Sequence, residues 1–208
     1  MSKQAPGGTG KGAVSVADRP DAVRNVLLVG AAGSGKTTLV ETLLVSAGVL
    51  NRAGTTAEGT TVCDFDEAEH RQQRSVGLAL APLIHAGVKI NLLDAPGYVD
   101  FVGELRAGLR AADCALFVIA ANEGIDEPTR SLWRECAQVR MPRVVVITKL
   151  DHARADYEGV VAQAQDAFGD KVLPDPAAPT RSTLRTASGR SATGTSPLPF
   201  PPEACLLI

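Results

Sequence analysis

Apolar residues in the middle of this chain form short continuous runs that alternate with segments of helical periodicity. The runs predict five buried strands, at Val26–Val29, Val76–Leu80, Val88–Leu93, Ala115–Ala120 and Val144–Ile147. Several runs are apolar nearly throughout, which is typical of parallel strands covered by helices on both faces. We therefore expect an α/β fold with a mainly parallel sheet flanked by helices.

Four helical patterns lie between or after these strands. In each pattern apolar residues recur at spacings of three and four, so one face of the helix is expected to pack on the sheet. Pro128 stands just before the third pattern, where it suits the first turn of a helix. The four patterns cover about Thr38–Ala47, the region around Phe101–Leu109, the region around Leu132–Val139, and about Ala153–Phe168.

Composition divides the chain into three zones. Residues 1–21 are rich in glycine and polar residues and are expected to form a disordered leader. Residues 22–173 hold all the predicted strands and helices and are expected to form one domain. Residues 174–208 contain seven of the 13 prolines among Ser, Thr, Arg, Gly and Ala, which predicts a disordered tail.

The bulk properties are those of an ordinary soluble protein. The chain has 208 residues, of which 45% are apolar and 21% charged, and a net charge of -2 gives no evidence for DNA or membrane binding. No apolar segment has the form of a signal peptide or the length of a membrane span. Scattered cysteines disfavour a disulfide framework or a zinc site, so we expect reduced thiols in a cytoplasmic protein.

A glycine-rich phosphate loop stands between the first predicted strand and the first predicted helix. Its glycines let successive backbone N–H groups point at phosphate oxygens. Lys36 supplies a positive charge for the β- and γ-phosphates, and the Thr37 hydroxyl can ligate Mg²⁺. The alternative is a glycine-rich turn without a ligand, which the correct offset of Gly-Lys-Thr disfavours. The loop reads Gly30-Ala31-Ala32-Gly33-Ser34-Gly35-Lys36-Thr37.

A second motif follows the predicted strand Val88–Leu93. Asp94 is suited to the magnesium shell, and the Gly97 N–H is suited to the γ-phosphate. Taken alone, a Pro-Gly turn is common. The motif reads Asp94-Ala95-Pro96-Gly97.

A third motif ends the last predicted strand and discriminates between bases. The Asp151 carboxylate can accept the N1–H and the exocyclic amine of guanine, whereas adenine offers no donor at N1. The three motifs occur in order at the carboxyl ends of strands, so they predict a guanine-nucleotide site. An ATP-dependent P-loop kinase is a weaker alternative that leaves Asp151 unexplained. The third motif reads Thr148-Lys149-Leu150-Asp151.

Longer stretches around the motifs resemble the translational GTPases, most closely the elongation factor G-like proteins. The resemblance covers about Arg24 to Pro174. It implies a P-loop GTPase domain with GTP and Mg²⁺ as cofactors and the ribosome as partner, in translocation or recycling. It rests on Ile90-Asn91-Leu92-Leu93-Asp94-Ala95-Pro96-Gly97-Tyr98-Val99-Asp100-Phe101, on Ser131-Leu132-Trp133-Arg134 and on Met141-Pro142-Arg143.

The chain departs from the family pattern at three positions of the site. Tyr98 stands where the family has a histidine that helps to position the attacking water. Tyr98 and Gly97 are the candidate catalytic residues. A phenol is a poor substitute for an imidazole in this role. Ser75 replaces the switch I threonine and keeps a hydroxyl for Mg²⁺, beside Thr37 and Asp94. Thr148 replaces an asparagine. We therefore expect GTP binding, with slow hydrolysis.

The resemblance also implies a later strand and helix and further domains, whereas it stops near Pro174 in this chain. We therefore expect a truncated member that lacks the last strand and helix of the nucleotide domain. Two functional hypotheses remain open. One is a GTP-binding domain with slow hydrolysis linked to the ribosome, and the other is a binding-only remnant without ribosomal activity.

Overall fold

The computed structural model describes residues 19–63, 77–97, 102–169, 172–173 and 205–207. In this part of the chain a six-stranded sheet is flanked by four α-helices, and a short 3-10 turn at Pro20–Ala22 leads into the first strand. The helices are α1 (Lys36–Ser46), α2 (Val102–Ala111), α3 (Glu127–Gln138) and α4 (Tyr157–Phe168). The strands are β1 (Val23–Val29), β2 (Ala79–His85), β3 (Val88–Asp94), β4 (Cys114–Ala120), β5 (Arg143–Thr148) and β6 (Cys205–Leu207).

The order of the strands across the sheet is β2-β3-β1-β4-β5-β6. The four central strands are parallel, while β2 and β6 lie antiparallel at the two edges. The mainly parallel α/β sheet expected from the sequence is thereby confirmed. Because the chain passes from β3 on one side of β1 to β4 on the other, the sheet has a topological switch point beside β1. Ligands of open α/β sheets bind at such points, outside the carboxyl ends of the strands.

Alternate residues of the central strands fill two cores, one on each face of the sheet. On one face, Leu28, Leu116 and Val146 belong to a buried cluster with the apolar residues of α1. On the other face the core includes residues of α3 and α4. Trp133 of α3 stacks on Phe168 of α4 with ring centroids 4.1 Å apart. This burial on both faces explains why the central strands are apolar nearly throughout.

The first antiparallel strand differs from its prediction. The expected strand at 76–80 is wrong in its bounds, because β2 covers Ala79–His85. Its residues are alternately buried and more exposed, and it contains Pro82, which an edge strand tolerates because it need not donate on its open side. Ala86 and Gly87 both have positive φ and close a two-residue hairpin to β3. The apolar segment of the sequence continues to Ile84, but Pro82 interrupts it, and a proline is typical of a strand end or a turn.

The tail contains a second difference. Residues 205–207, inside the zone predicted to be disordered, form β6 and pair antiparallel with β5. A three-residue strand is too short to show the two-residue alternation by which strands are recognised. The domain boundaries at 21 and 173 stay predictions. None of the described helices combines the length and the apolar character needed to cross a membrane.

Candidate functional site

The phosphate loop connects β1 to α1 at the carboxyl edge of the sheet. Gly33 and Gly35 have φ values of 75° and 93°, a left-handed conformation that side chains disfavour. A Cβ on Gly30 would lie 2.2 Å from the Val118 carbonyl oxygen of β4, so the loop backbone lies directly against the sheet. Gly35 is the N-cap of α1, and a glycine has no side chain with which to cap this end. The N–H groups at the start of α1 are therefore suited to an anion.

The Lys36 side chain is folded over this loop. Its Nζ donates to the carbonyl oxygens of Gly30 and Ala31, each at 2.9 Å, and the residue is only 7% exposed. Burial lowers the pKa of the ammonium group, and the negative charges of Asp94 and Asp126 partly oppose that effect. An anionic ligand in the loop would favour the protonated form of this amine.

The Thr37 hydroxyl donates to Oδ2 of Asp94 at 2.6 Å. Asp94 ends β3 and is 1% exposed, so two of the three predicted metal ligands lie together. Hydroxyl and carboxylate oxygens are hard ligands that suit Mg²⁺, which is commonly held by one or two protein groups together with substrate phosphates. The third predicted ligand, Ser75, lies outside the described residues. Elsewhere in the described ranges no group of three or more His, Cys, Asp or Glu could hold a metal ion.

Gly97 lies against the phosphate loop. A Cβ at this position would come within 2.6 Å of both the Ala32 backbone nitrogen and the Lys36 Nζ. The second motif therefore meets the phosphate loop where the last phosphate of a nucleotide is expected, and only glycine fits that gap. Tyr98, the other candidate catalytic residue, lies outside the described residues.

Thr148 connects the third motif to the phosphate loop. Its hydroxyl is buried and donates to the Ser34 carbonyl oxygen at 2.6 Å, with the Ile119 carbonyl oxygen 3.3 Å away. The Ser34 hydroxyl is also buried, and it makes no hydrogen bond to any described residue. A buried polar atom of this kind usually has a water or ligand partner. Thr148 thus positions the loop, a role that the sequence did not show.

The next three residues form a turn at the surface. Lys149 has a φ of 55°, and its Nζ lies 3.5 Å from Oε1 of Glu123. Leu150 is 3% exposed and packs in the core, whereas Asp151 is exposed. The buried leucine fixes the turn, so that Lys149 and Asp151 stand on the outer side. A lysine and a carboxylate are thereby brought to the surface together at the carboxyl end of β5.

The loop after β4 contributes two acidic residues that belong to none of the three motifs. Glu123 pairs with Lys149, and Asp126 caps α3 by accepting from the Thr129 N–H at 2.9 Å. Asp126 also lines a cavity of about 410 Å³ beside Gly30 and Gly97. The signal that could have found both residues is their position in the loop that follows the carboxyl end of a central strand.

Comparison with known proteins identifies the family of this chain. The model of the family "Elongation factor Tu GTP binding domain" matches residues 21–199. The match extends past Pro174, into the predicted tail. A solved crystal structure of a protein from Thermus thermophilus superimposes with a TM-score of 0.67 at 42% identity, covering 73% of this chain and 23% of that one.

Curated relatives are similar over the same region. An elongation factor G-like protein of Mycobacterium tuberculosis is 69% identical over 174 residues, which are 84% of this chain and 24% of the relative. Elongation factor G 2 of Streptomyces coelicolor is 35% identical over 69% of this chain and 21% of its own length. The chain thus spans about a quarter of the length of these relatives. It belongs to the translational GTPases, as a nucleotide-binding domain of the elongation factor Tu GTP-binding family.

Proposed function

We propose that this domain binds GTP together with Mg²⁺ and hydrolyses it slowly. The observation that supports this most directly is the meeting of the three motifs at one edge of the sheet. Gly97 lies against the phosphate loop, and Thr148 holds the same loop by a hydrogen bond to the Ser34 carbonyl oxygen. The residues proposed for phosphate, metal and base therefore lie in segments that meet at the same edge of the sheet.

The phosphate end of the site uses fixed donors. The loop N–H groups and the N–H groups at the start of α1 donate to the phosphates, and Lys36 adds a positive charge that has little access to water. Thr37 and Asp94 are the described residues that would hold Mg²⁺. A bound magnesium ion would neutralise charge between the β- and γ-phosphates.

The base end of the site uses the turn after β5. The Asp151 carboxylate accepts both donors on the Watson–Crick edge of guanine, while Lys149, held by Glu123, covers one side of the base. Adenine would leave the carboxylate facing an acceptor at N1. An unpaired polar group of that kind reduces the free energy of binding by about 1–3 kcal/mol or more.

A comparison of fluorescent GTP and ATP analogues tests this proposal. We expect the 208-residue chain to bind the guanine analogue at least about 100-fold more tightly, since an adenine leaves Asp151 unpaired. The titration is repeated with EDTA, which should weaken GTP binding by removing Mg²⁺. Equal affinity for the two analogues would show that Asp151 does not select the base.

Hydrolysis is expected to depend on the residue after Gly97. Tyr98→His should raise the single-turnover rate of GTP hydrolysis about 10-fold or more, because an imidazole with a pKa near 6.5 positions water better than a phenol. Tyr157→His, at an α4 residue packed against the core, serves as a control and should leave the rate unchanged. An unchanged rate in Tyr98→His would mean that another feature limits hydrolysis.

We also propose that the chain serves a ribosomal step in the cytoplasm, either translocation or recycling. The support is the family itself, since the curated relatives are elongation factors G and an elongation factor G-like protein. The same hydrolysis assay with added ribosomes examines this partner directly.

A further inference from the structure

A short strand from the C-terminal tail lies beside the strand that leads into the third motif. β6 (Cys205–Leu207) pairs antiparallel with β5, and the described part of the sheet ends with this strand. β6 lies beyond residue 199, where the match to the family model ends. It is therefore a feature of this chain for which neither the three motifs nor the family match accounts.

Pairing with β6 covers an edge of the sheet that would otherwise be open. β5 pairs with β4 on one side, and among the described strands only β6 pairs with its other side. The three β5 residues in this pairing, Val145, Val146 and Ile147, are at most 1% exposed. An open edge presents a row of unpaired N–H and C=O groups, which is costly beside so buried a strand. A strand on that side therefore stabilises β5.

The pairing reaches the carboxyl end of β5, where the proposed base site begins. Cys205 stands opposite Ile147, directly before Thr148. The Thr148 hydroxyl donates to the Ser34 carbonyl oxygen and so links this strand end to the phosphate loop. The Thr148 carbonyl oxygen accepts from the Ala121 N–H at 2.9 Å, directly after β4. The last residues of β5 are thus restrained from the β4 side and from the β6 side.

The turn that carries Asp151 follows this strand end immediately. Leu150 is buried in the core, and the Lys149 carbonyl oxygen accepts from the His152 N–H at 3.1 Å. A turn that is closed and anchored in this way moves together with the strand that precedes it. Because Asp151 itself is exposed, its orientation depends on where the backbone leaves β5.

We propose that β6 is a positioning element of the base site: by pairing with β5 it fixes the orientation of Asp151 towards guanine. The inference rests on the proposed function, in which Asp151 selects the base. The phosphate loop follows β1 and Asp94 ends β3, and neither of these strands is a neighbour of β6 in the sheet. Loss of β6 should therefore weaken the recognition of guanine and leave the binding of the phosphates unchanged.

Affinities of the whole 208-residue chain for fluorescent GTP and ATP analogues test the inference. Leu206→Pro removes the N–H of the middle residue of β6 and disfavours the strand. GTP affinity is expected to fall about 10-fold with ATP affinity unchanged, because only guanine uses both acceptor positions of Asp151. Amide hydrogen exchange at residues 145–147 should become faster as β6 detaches. Unchanged exchange there would mean that β6 does not restrain β5, which overturns the inference.

Two matched variants make the result specific. Leu198→Pro makes the same exchange in the same tail but outside β6, and it should keep both wild-type affinities. Leu206→Val keeps the N–H and introduces a β-branched side chain, which suits a strand, so it should also retain GTP affinity. An equal loss of GTP affinity in Leu198→Pro and Leu206→Pro would assign the effect to the tail as a whole and contradict the role of β6.

The outcomes separate this inference from the proposed function. If Leu206→Pro lowers both affinities equally, or neither, β6 only covers the sheet edge and the inference is overturned. If Leu206→Pro does not fold, the wild type decides, because a ligand that β6 favours must stabilise β6 in turn. Saturating GDP should then slow amide exchange at residues 205–207 more than saturating ADP does, and equal exchange with both would overturn the inference. A wild type without affinity for GTP would instead contradict the proposed function.

Discussion

Lys36→Ala is expected to weaken GTP binding about 100-fold or more. The ammonium group is nearly inaccessible to water and bonds the carbonyl oxygens of Gly30 and Ala31, so it lies within the loop that surrounds the phosphates. A hydrogen bond to a charged group contributes about 1.5–3 kcal/mol to the free energy of binding. For a buried cation that faces a polyphosphate, we expect a contribution at the upper end of that range. Titration with a fluorescent GTP analogue measures the loss directly.

The control for Lys36→Ala is Lys89→Ala, on β3 and outside the three motifs. It should bind GTP like the wild type. Thermal unfolding separates binding from folding: without nucleotide, Lys36→Ala should melt close to the wild type, because it removes a buried ammonium whose pKa is lowered by burial. With GTP present, only the wild type and Lys89→Ala should gain stability. Unchanged affinity in Lys36→Ala would contradict the phosphate-loop assignment.

Asp151→Asn is expected to reverse the base preference of the site. An asparagine still accepts the N1–H of guanine, but its NH2 group opposes the exocyclic amine, so GTP affinity should fall about 1,000-fold. Xanthine carries a carbonyl oxygen in place of that amine and can accept from the asparagine NH2. Xanthosine triphosphate should therefore bind Asp151→Asn more tightly than it binds the wild type. Competition against a fluorescent GTP analogue measures both affinities.

Asp166→Asn is the matched control for this exchange. Asp166 lies on α4 with a side chain that is 85% exposed, 3.9 Å from Arg130. Neutralising it should change neither affinity, because exposed pairs contribute little. If Asp151→Asn binds GTP as tightly as the wild type, the turn after β5 does not recognise the base.

The chemistry of the phosphate loop could be predicted because its geometry is local. Gly33 and Gly35 adopt left-handed backbone conformations, and Lys36 and Thr37 begin the helix that follows. Residues so close in sequence have few alternative arrangements, so their spacing alone predicts a phosphate-binding loop. The same holds for Asp94, at the end of a strand that is recognisable by its apolar run.

The contacts that join the motifs could not be predicted. Thr148 and Ser34 are 114 residues apart, and their bond depends on the strand order that brings β5 near the phosphate loop. Glu41 resembles any other acidic residue in a helical pattern, and only the return of the chain at Gly54 and Val62 explains its burial. The local periodicity of the sequence does not indicate contacts between segments that are far apart in the chain.

The mainly parallel sheet was determined by the sequence itself, which also predicted the kind of site: a phosphate loop, a pair of oxygen ligands and a carboxylate suited to guanine. Residue types and short spacings suffice for this, since they specify which donors and acceptors exist. The tertiary structure decided which of them meet, including Gly97 on the phosphate loop and Thr148 on Ser34. A hydrogen bond requires its atoms within about 3 Å, and between distant segments only the packing of strands and helices achieves that separation.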